Sequence, residues 1–546
     1  MVEQGINRWI IKRHQVSLLL TILSIVFWSV SLIQAKLNFG FYGLISSYSI
    51  NYFIALGLLT IASFLLWVSK EAQGKLLLLQ LLILITMLWL TPVLIGSNPL
   101  FTNIVYRDIV HTSYLTENGH LNPAILFYHN WPSLFIFESG LIQITGATGI
   151  PNILILLSAY FLQFLILLPL YIFFRNTIET PNLRWLAIWL FYLANWTGQI
   201  YMEPQGIAFF FLIILLAVLT SVNIQQRNIL APRYSTIIII VLAALVTIHL
   251  LTSIVAILLV FVFWMRKTLK FNFVILIFVF VAAWTIYGAT YQFNHNLNSF
   301  IQHAFNIDVL FSQLTTPLGV SSTSHSAINE LRIAYSGFFI IIGIIGILIS
   351  RKHRSEADVV SFWLLISSFL ILFTVLYDKE QLMRFYLFAL IPLTYFAYKL
   401  FKNKIAQIVL LVLFMLVLPL NIITHYGNTF IDYFPPSEVA YTNFMRTFSA
   451  LNNDVFGGQN LFLPGGHYYS LDSSSVLNGE ITTKDYVYSG GSQYVHIGTR
   501  DQNTEIFTNN DDTLVPKLDE SLKKSTDYGI IYNNPTISVY YKSVGN

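Results

Sequence analysis

Long runs of apolar residues, each about the length of a membrane-crossing helix, recur from about residue 15 to residue 424. A run of roughly 20 apolar residues is long enough to cross the hydrocarbon core of a bilayer as an α-helix. Beyond this region the runs stop, and short apolar stretches alternate with polar and glycine-rich turns. The pattern predicts an α-helical polytopic membrane domain over residues 1–424 and a small soluble α/β domain over residues 425–546.

Basic residues between the apolar runs predict the orientation of the chain, because Lys and Arg accumulate in cytoplasmic loops. The first run, Val16–Ala35, follows Arg8, Lys12 and Arg13 and is too long for the core of a cleavable signal peptide. We therefore expect an uncleaved first span with its N-terminus in the cytoplasm. Following the basic residues onward predicts about 13 transmembrane helices in a multi-pass cell-membrane protein, with the C-terminal domain outside.

One apolar run departs from the regular pattern. Ser235–Trp264 is about 30 residues long and has basic residues at both ends, which favours two short antiparallel helices turning at His249–Ser253. This path places loops 97–148, 195–205 and 290–334 on the outer face together with the C-terminal domain. Because the inner turns are short and basic, we expect the function to reside on the outer face.

The composition supports this assignment. Hydrophobic residues make up 55% of the chain and charged residues only 10%, against roughly 25% charged in a typical soluble protein. Residues 1–424 carry 23 Lys and Arg against 13 Asp and Glu, whereas residues 425–546 carry 7 against 13. A basic excess of this kind belongs to cytoplasmic loops, so we expect no nucleic-acid partner. The absence of cysteine excludes disulfides, thiolate metal sites and a cysteine nucleophile.

The first outer loop contains most of the polar residues that could carry chemistry. Apolar residues recur at helical spacing between Ile104 and Leu115, which predicts an amphipathic helix lying along the membrane interface and ended by Gly119. Asp108 and His111 are three residues apart and would share one face of this helix. The spacing alone leaves open that this face merely meets water.

Several short motifs in the outer loops resemble those of a known superfamily. They are Asp-x-x-His at 108–111, Asn-Gly-His at 118–120, Tyr-x-x-x-Pro at 128–132 and Tyr-Met-Glu-Pro-Gln-Gly at 201–206. The membrane region resembles the GT-C glycosyltransferases, and the loop motifs are similar to archaeal and bacterial relatives of the dolichyl-phosphate-mannose protein mannosyltransferases. The first loop lacks their Asp-Glu pair, and the chain lacks the Trp-Trp-Asp-Tyr-Gly signature of oligosaccharyltransferases.

The resemblance implies a GT-C-like fold and transfer of a sugar from a polyprenyl-phosphate donor on the extracytoplasmic face. The acceptor, whether glycan, lipid or protein, stays open, as does the choice between hexosyl and pentosyl transfer. Such a reaction needs a base for the acceptor hydroxyl, for which Asp108 is the candidate. Glu203 would assist by holding the acceptor or a divalent cation, although no motif requires a metal. A simple helix-start carboxylate beside Pro204 is the alternative for Glu203.

Positive charge is also needed for the departing phosphate, and Lys379 and Arg384 are the candidates near the outer interface. Local ion pairs with Asp378 and Glu380 are the alternative. His249 is a candidate contact for phosphate or acceptor, although its position favours a structural histidine bonded to a backbone carbonyl. The remaining candidate substrate contacts are His111 and Tyr128.

Two other classes of function remain open at this stage. A transporter or flippase for a lipid or solute would use the large loops as gates and would place polar groups at mid-membrane depth, where the spans carry few. A noncatalytic membrane scaffold would use the C-terminal domain to bind a surface polymer. Loop 290–334 is expected to be a mobile cover of the site, and the spacing of its histidines matches no compact zinc motif.

The C-terminal domain is predicted to begin with an amphipathic helix at Glu438–Leu451 and to end with a β-hairpin. The hairpin strands are expected at Gly529–Tyr532 and Ile537–Tyr541, on either side of a turn at Asn533–Pro535. Other short strands are predicted at Asn460–Leu463, Tyr486–Tyr488 and Tyr494–Ile497. The domain is expected to grip an acceptor, to shield the site or to act as a structural cap.

Overall fold

The structure is a computed structural model that describes most of the membrane region and part of the C-terminal domain. The described residues are 2–96, 102–123, 127–147, 149, 152–224, 232–294, 323–351, 354–373, 381–429, 433, 435, 437, 440, 455–457, 468–469, 494–499, 501–503, 506, 512–534 and 536–542.

Helices dominate the membrane region. In chain order the helices are α1 (Val2–Gln34), α2 (Ile50–Trp67), α3 (Gly74–Ile85), α4 (Thr91–Gly96), α5 (Thr102–Asn118), α6 (Ser133–Thr145), α7 (Asn152–Thr177), α8 (Pro181–Ala194), α9 (Pro204–Ile224), α10 (Pro232–Ile248), α11 (Leu250–Met265), α12 (Phe271–Ala283), α13 (Thr323–Ser350), α14 (Glu356–Leu370), α15 (Gln381–Ala397), α16 (Lys404–Tyr426) and α17 (Leu514–Lys523). Two π-helical turns, Thr86–Leu90 and Trp284–Gly288, continue α3 into α4 and extend α12.

Each of the 13 predicted spans coincides with a helix or a continuous helical stretch, namely α1, α2, α3 with α4, α7 to α12, and α13 to α16. Within the described chain, eight helical segments are long and apolar enough to cross a membrane, and α10 and α11 are apolar but shorter. Large apolar side chains such as Leu168 and Ile341 remain exposed along these helices, as expected where lipid is the solvent. The polytopic architecture is thus confirmed, whereas the number of crossings stays a prediction.

The predicted break in the Ser235–Trp264 run is confirmed. The helix α10 ends at Ile248 and α11 begins at Leu250, with His249 in extended conformation between them. The His249 Nδ1 atom accepts a hydrogen bond from the backbone N–H of Thr252 at 3.4 Å, so the imidazole caps α11. The two helices pack against each other.

A buried ion pair joins α14 to Tyr398–Lys402, a short helical segment that follows α15. Lys399 donates to Asp358 Oδ1, which also accepts from the Tyr395 hydroxyl at 2.8 Å. The other carboxylate oxygen of Asp358 accepts from the backbone N–H of Ser355 at 2.9 Å, which completes a helix-capping box. Because both charged side chains are at most 9% exposed, removing one partner leaves an uncompensated buried charge.

We therefore expect Lys399→Met to destabilise the membrane domain by about 3–5 kcal/mol. The matched control is Lys402→Met in the same short helical segment, where the lysine is exposed, and it is expected to be nearly neutral. Thermal unfolding of the purified variants in one detergent measures the difference. Equal melting temperatures for the two variants would show that the ion pair contributes little.

The described strands of the C-terminal domain form a five-stranded mixed sheet with the order β2-β1-β3-β5-β4. The strands are β1 (Val455–Gly457), β2 (Tyr468–Tyr469), β3 (Tyr494–Gly498), β4 (Tyr528–Asn534) and β5 (Ile537–Lys542). The helix α17 packs Leu522 into a small core with Val495 and Tyr540. The sheet and helix confirm an α/β fold for this region.

The predicted strand at Tyr494–Ile497 and the antiparallel C-terminal hairpin are confirmed as β3 and as β4 with β5. The helix α17 was not predicted. The predicted helix Glu438–Leu451 and the predicted strands Asn460–Leu463 and Tyr486–Tyr488 lie almost entirely outside the described residues. The boundary between residues 424 and 425 stays a prediction, with α16 ending at Tyr426.

Candidate active site on the outer loops

The predicted helix of the first outer loop is present as α5, which ends where the sequence indicated. Gly119 follows its last residue, Asn118, with φ of 70°, a left-handed conformation that glycine adopts without steric cost. The Gly119 N–H donates to the carbonyl of Leu115 at 2.9 Å, which satisfies one terminal carbonyl of the helix. The prediction of a helix closed by this glycine is confirmed.

The polar face of α5 points into the protein rather than into water. Asp108 is 2% exposed, His111 is 4% exposed and Thr112 is fully buried. Spacings of three and four residues place these side chains on one stripe of the helix, and this stripe packs toward α6. The interpretation of the face as a merely solvated surface is therefore wrong.

A second carboxyl group faces this stripe. Glu138 of α6 is 5% exposed, and its Oε2 atom accepts a hydrogen bond from the Thr112 hydroxyl at 2.5 Å. Burial raises the pKa of Glu138 to about 8, and the negative charge of nearby Asp108 adds to the increase. Sequence reasoning missed Glu138, although a single carboxylate inside the apolar run Ser133–Thr145 was a usable signal.

Aromatic rings and imidazoles enclose the buried end of α5. The His111 ring stacks on Phe135 with centroids 4.9 Å apart, and it meets the Tyr128 ring edge-on at 5.7 Å. His129 Nδ1 accepts from the backbone N–H of Asn122 at 2.9 Å, and its Nε2 atom lies 3.2 Å from the His111 carbonyl. Because Nδ1 accepts the Asn122 N–H, it carries no proton, so Nε2 carries the ring proton and donates to the His111 carbonyl; burial lowers the pKa of His129, which favours the same neutral form. His111 and Tyr128 thus lie in the same part of the site as Asp108.

Loop one is also attached to the helix that precedes the third large outer loop. The Trp284 indole N–H donates to the carbonyl of Asn130 at 3.0 Å, and the backbone N–H of Gln292 approaches Asn130 Oδ1 at 3.4 Å. Residues 295–322 of loop 290–334 lie outside the described residues, so its proposed role as a cover stays a prediction.

A second polar group forms where α9, α15 and the α10–α11 turn meet. Arg384 is 6% exposed and donates through Nη1 to Gln205 Oε1 in the first turn of α9. The side-chain amide of Gln205 donates in turn to Gln199 Oε1 at 2.9 Å, so the loop before α9 supports this glutamine. The helix α11, which His249 caps, also packs against α9. The structure therefore places Arg384 and His249 on elements that both contact α9.

Glu203 lies at the start of α9, two residues before Gln205, and is 7% exposed. Its backbone N–H donates to the carbonyl of Tyr201 at 2.8 Å, and its own carbonyl accepts from Ile207 at 3.1 Å. This position agrees with the helix-start interpretation and leaves the proposed role in acceptor binding untested. Lys379, the second predicted phosphate contact, lies outside the described residues together with Asp378 and Glu380.

The described contacts thus assemble the predicted site residues into two groups. Asp108, His111 and Tyr128 lie with Glu138 around α5 and α6, and Arg384 lies with Gln205 at the start of α9, against which the helix capped by His249 packs. A single cavity joining Asp108, Glu203 and Arg384 stays a prediction. Among the residues that the structure describes, no three histidine or carboxylate side chains form a group that could hold a metal ion.

Comparison with known proteins finds similar solved structures but no matching family model or curated sequence. No protein-family model matches the sequence, and no curated protein matches it. The structure is similar to the oligosaccharyltransferase of Archaeoglobus fulgidus tethered with an acceptor peptide that contains the NVT sequon, with a TM-score of 0.50 and 13% sequence identity. That match covers 87% of this chain and 74% of the archaeal chain.

A further similar structure is that of ArnT from Cupriavidus metallidurans bound to undecaprenyl phosphate, with a TM-score of 0.48 and 9% identity. It covers 86% of this chain and 98% of that protein. At such low identities a structural match establishes the fold alone, because one fold hosts many functions. On the similarity to the archaeal enzyme, this chain has the fold of that oligosaccharyltransferase, in agreement with the fold that the sequence resemblance to the GT-C glycosyltransferases implies.

Proposed function

We propose that this protein is a glycosyltransferase that moves a sugar from a polyprenyl-phosphate-linked donor to an acceptor on the extracytoplasmic face. The observation that carries the proposal is the burial of Asp108 on an outer-loop helix whose polar stripe faces the protein. Buried ionisable groups gather at functional sites, so the carboxyl group of Asp108 near the His111 and Tyr128 rings is a candidate for the catalytic base. The GT-C fold supports the same reaction class by analogy.

In the proposed reaction, the acceptor hydroxyl oxygen attacks the anomeric carbon of the donor sugar while the bond from that carbon to the phosphate oxygen breaks. Asp108 accepts the hydroxyl proton, so the attacking oxygen gains nucleophilicity as the new glycosidic bond forms. The electron pair of the broken bond leaves with the polyprenyl phosphate. Arg384 stabilises the charge on this phosphate through guanidinium N–H groups that match its oxygens.

The other site residues would position the two substrates. The rings of His111 and Tyr128 contact each other in the same part of the site as Asp108, and their polar atoms would contact sugar or acceptor hydroxyls. His249 would lie close to the donor phosphate, since the helix that it caps packs against α9, whose Gln205 holds Arg384. Glu203 would hold the acceptor or a divalent cation, and Lys379 would add a second positive charge to the phosphate site. These roles are parts of the proposal.

The acceptor remains a glycan, a lipid or a protein. The similar archaeal enzyme is an oligosaccharyltransferase tethered with an acceptor peptide, and a peptide acceptor is therefore worth testing first. The outer loops and the C-terminal sheet domain would contact the acceptor. The membrane-embedded helices would hold the polyprenyl chain of the donor beside the surrounding lipids.

The proposal is tested with purified protein in lipid nanodiscs and a panel of radiolabelled polyprenyl-phosphate hexoses and pentoses. We expect transfer to a glycan, lipid or peptide acceptor, or slow hydrolysis of one donor to free sugar. Protein inactivated by heat provides the blank. A folded preparation that neither transfers nor hydrolyses any donor would contradict the proposal and would favour transport or scaffolding.

A further inference from the structure

Glu138 is a buried carboxyl group for which the proposed transfer reaction assigns no task. It lies in the middle of α6, and its Oε2 atom accepts the hydroxyl hydrogen of Thr112 at 2.5 Å. Thr112 follows Asp108 by four residues on α5, so the two side chains project from the same stripe one turn apart. The Thr112 bond therefore positions the Glu138 carboxyl beside the stripe that carries Asp108.

Two adjacent buried carboxyl groups do not both ionise readily. Each charge loses hydration, and the second charge is also repelled by the first. Thr112, one turn beyond Asp108 on the same stripe, contacts Glu138 directly where α5 packs on α6, so the two buried carboxyl groups face the same contact between these helices. The pair is therefore expected to retain one proton near neutral pH, as in other sites where two carboxyls are neighbours.

Among the side chains that the structure describes, no lysine or arginine forms an ion pair with Glu138, and the side chain of Arg107, next to Asp108, lies outside them. From α5 Glu138 contacts Thr112 of the Asp108 stripe, and His129 in the adjoining loop is neutral because its Nδ1 atom accepts a hydrogen bond. The outer part of α10, which packs against α6, has no titratable side chain between Ser235 and Ile248. The hydroxyl of Ser139, next to Glu138, interacts with Thr116 at 3.0 Å. Among the groups that the structure describes here, only a proton can neutralise Glu138.

We propose that Glu138 is a positioning residue that keeps the proton of the Asp108–Glu138 pair, so that Asp108 is the ionised member and can accept a proton from the acceptor hydroxyl. The role of Asp108 in this statement rests on the proposed glycosyl transfer. The protonation of Glu138 does not rest on that reaction, because it follows from the burial of Glu138 and from the packing of α5 against α6. No proton is lost or gained by Glu138 during the transfer.

The direct test is infrared spectroscopy of the full-length protein in nanodiscs as the pH is raised. A protonated carboxylic acid has a carbonyl-stretch band that its carboxylate lacks. We expect such a band at pH 7 in the wild type, its loss near pH 8, and its absence in Glu138→Gln. In Asp108→Asn the band should titrate at lower pH, because the repelling negative charge is gone.

The functional test compares Glu138→Gln, which keeps the shape and the neutral charge, with Glu138→Ala. Transfer by the wild type should fall as the pH rises through about 8, because ionised Glu138 adds a second negative charge beside Asp108. Glu138→Gln should keep activity within about threefold at pH 7 and lose the alkaline decline, whereas Glu138→Ala should lose more activity. If Glu138 had only a structural role, the pH profile of Glu138→Gln would be the same as that of the wild type.

The outcomes separate the two proposals. No acid band attributable to Glu138 at pH 7 would overturn the inference even if sugar transfer is found. An inactive Glu138→Gln that folds normally would also overturn it, since it would show that the charge of Glu138 is required. A Glu138 band together with a protein inert to every donor would leave the protonation intact and contradict the proposed function.

Discussion

Asp108→Asn is expected to lower sugar transfer by about 10²–10⁴-fold, the usual contribution of a general base. Asparagine has nearly the shape of aspartate, so the buried position on α5 can accept it without a cavity. It cannot accept the proton of the acceptor hydroxyl. The measurement is the initial rate of radiolabelled sugar transfer by wild type and variant in the same nanodiscs, with the donor saturating.

The matched control is Glu117→Gln on the same helix, where the side chain is exposed to solvent. Both variants remove one carboxylate from α5, and only the first removes a buried one. Glu117→Gln is expected to keep wild-type activity. If the two variants were equally active, Asp108 would be excluded as the base and the site would have to be sought elsewhere.

Arg384→Gln is expected to raise the KM for the donor by about 10- to 100-fold, since hydrogen bonds to charged groups contribute about 1.5–3 kcal/mol. The guanidinium is already held in place by Gln205, so little ordering is needed when the phosphate binds. Arg384→Lys should recover part of the loss, because a lysine keeps the charge and loses the forked geometry. Transfer rates over a range of donor concentrations measure KM and kcat separately.

Arg266→Gln provides the control for Arg384. It makes the same chemical change at an exposed arginine that pairs with Glu356 between α11 and α14, on the predicted cytoplasmic side. Its KM should equal that of the wild type. A donor KM that stays unchanged in Arg384→Gln would mean that the phosphate is held by other residues.

Apolar runs and their basic flanks predicted the helical elements of the membrane region. The length of an apolar run must match the thickness of the bilayer, and basic residues gather in cytoplasmic loops. The turn at His249 followed from the same rule, since a run basic at both ends favours two crossings. The C-terminal hairpin was predicted from two short apolar stretches separated by an Asn-Asn-Pro turn. The helix Leu514–Lys523 was missed, as its polar composition resembles that of a loop.

The sequence by itself also singled out Asp108, Glu203, Arg384 and His249, because ionisable residues near membrane boundaries are few and chemically distinct. It could not show which of them are buried or which share contacts. Only the tertiary structure shows that the Asp108 face of α5 packs toward α6. It also shows that Glu138 accepts a hydrogen bond from Thr112, 26 residues away in the chain. It also joined Arg384 to Gln205 across 179 residues. Such pairings depend on how the helices pack against one another, and the spacing of apolar residues does not specify that packing. The helices themselves form because of the local sequence and the surrounding lipid, so the sequence is enough to predict them.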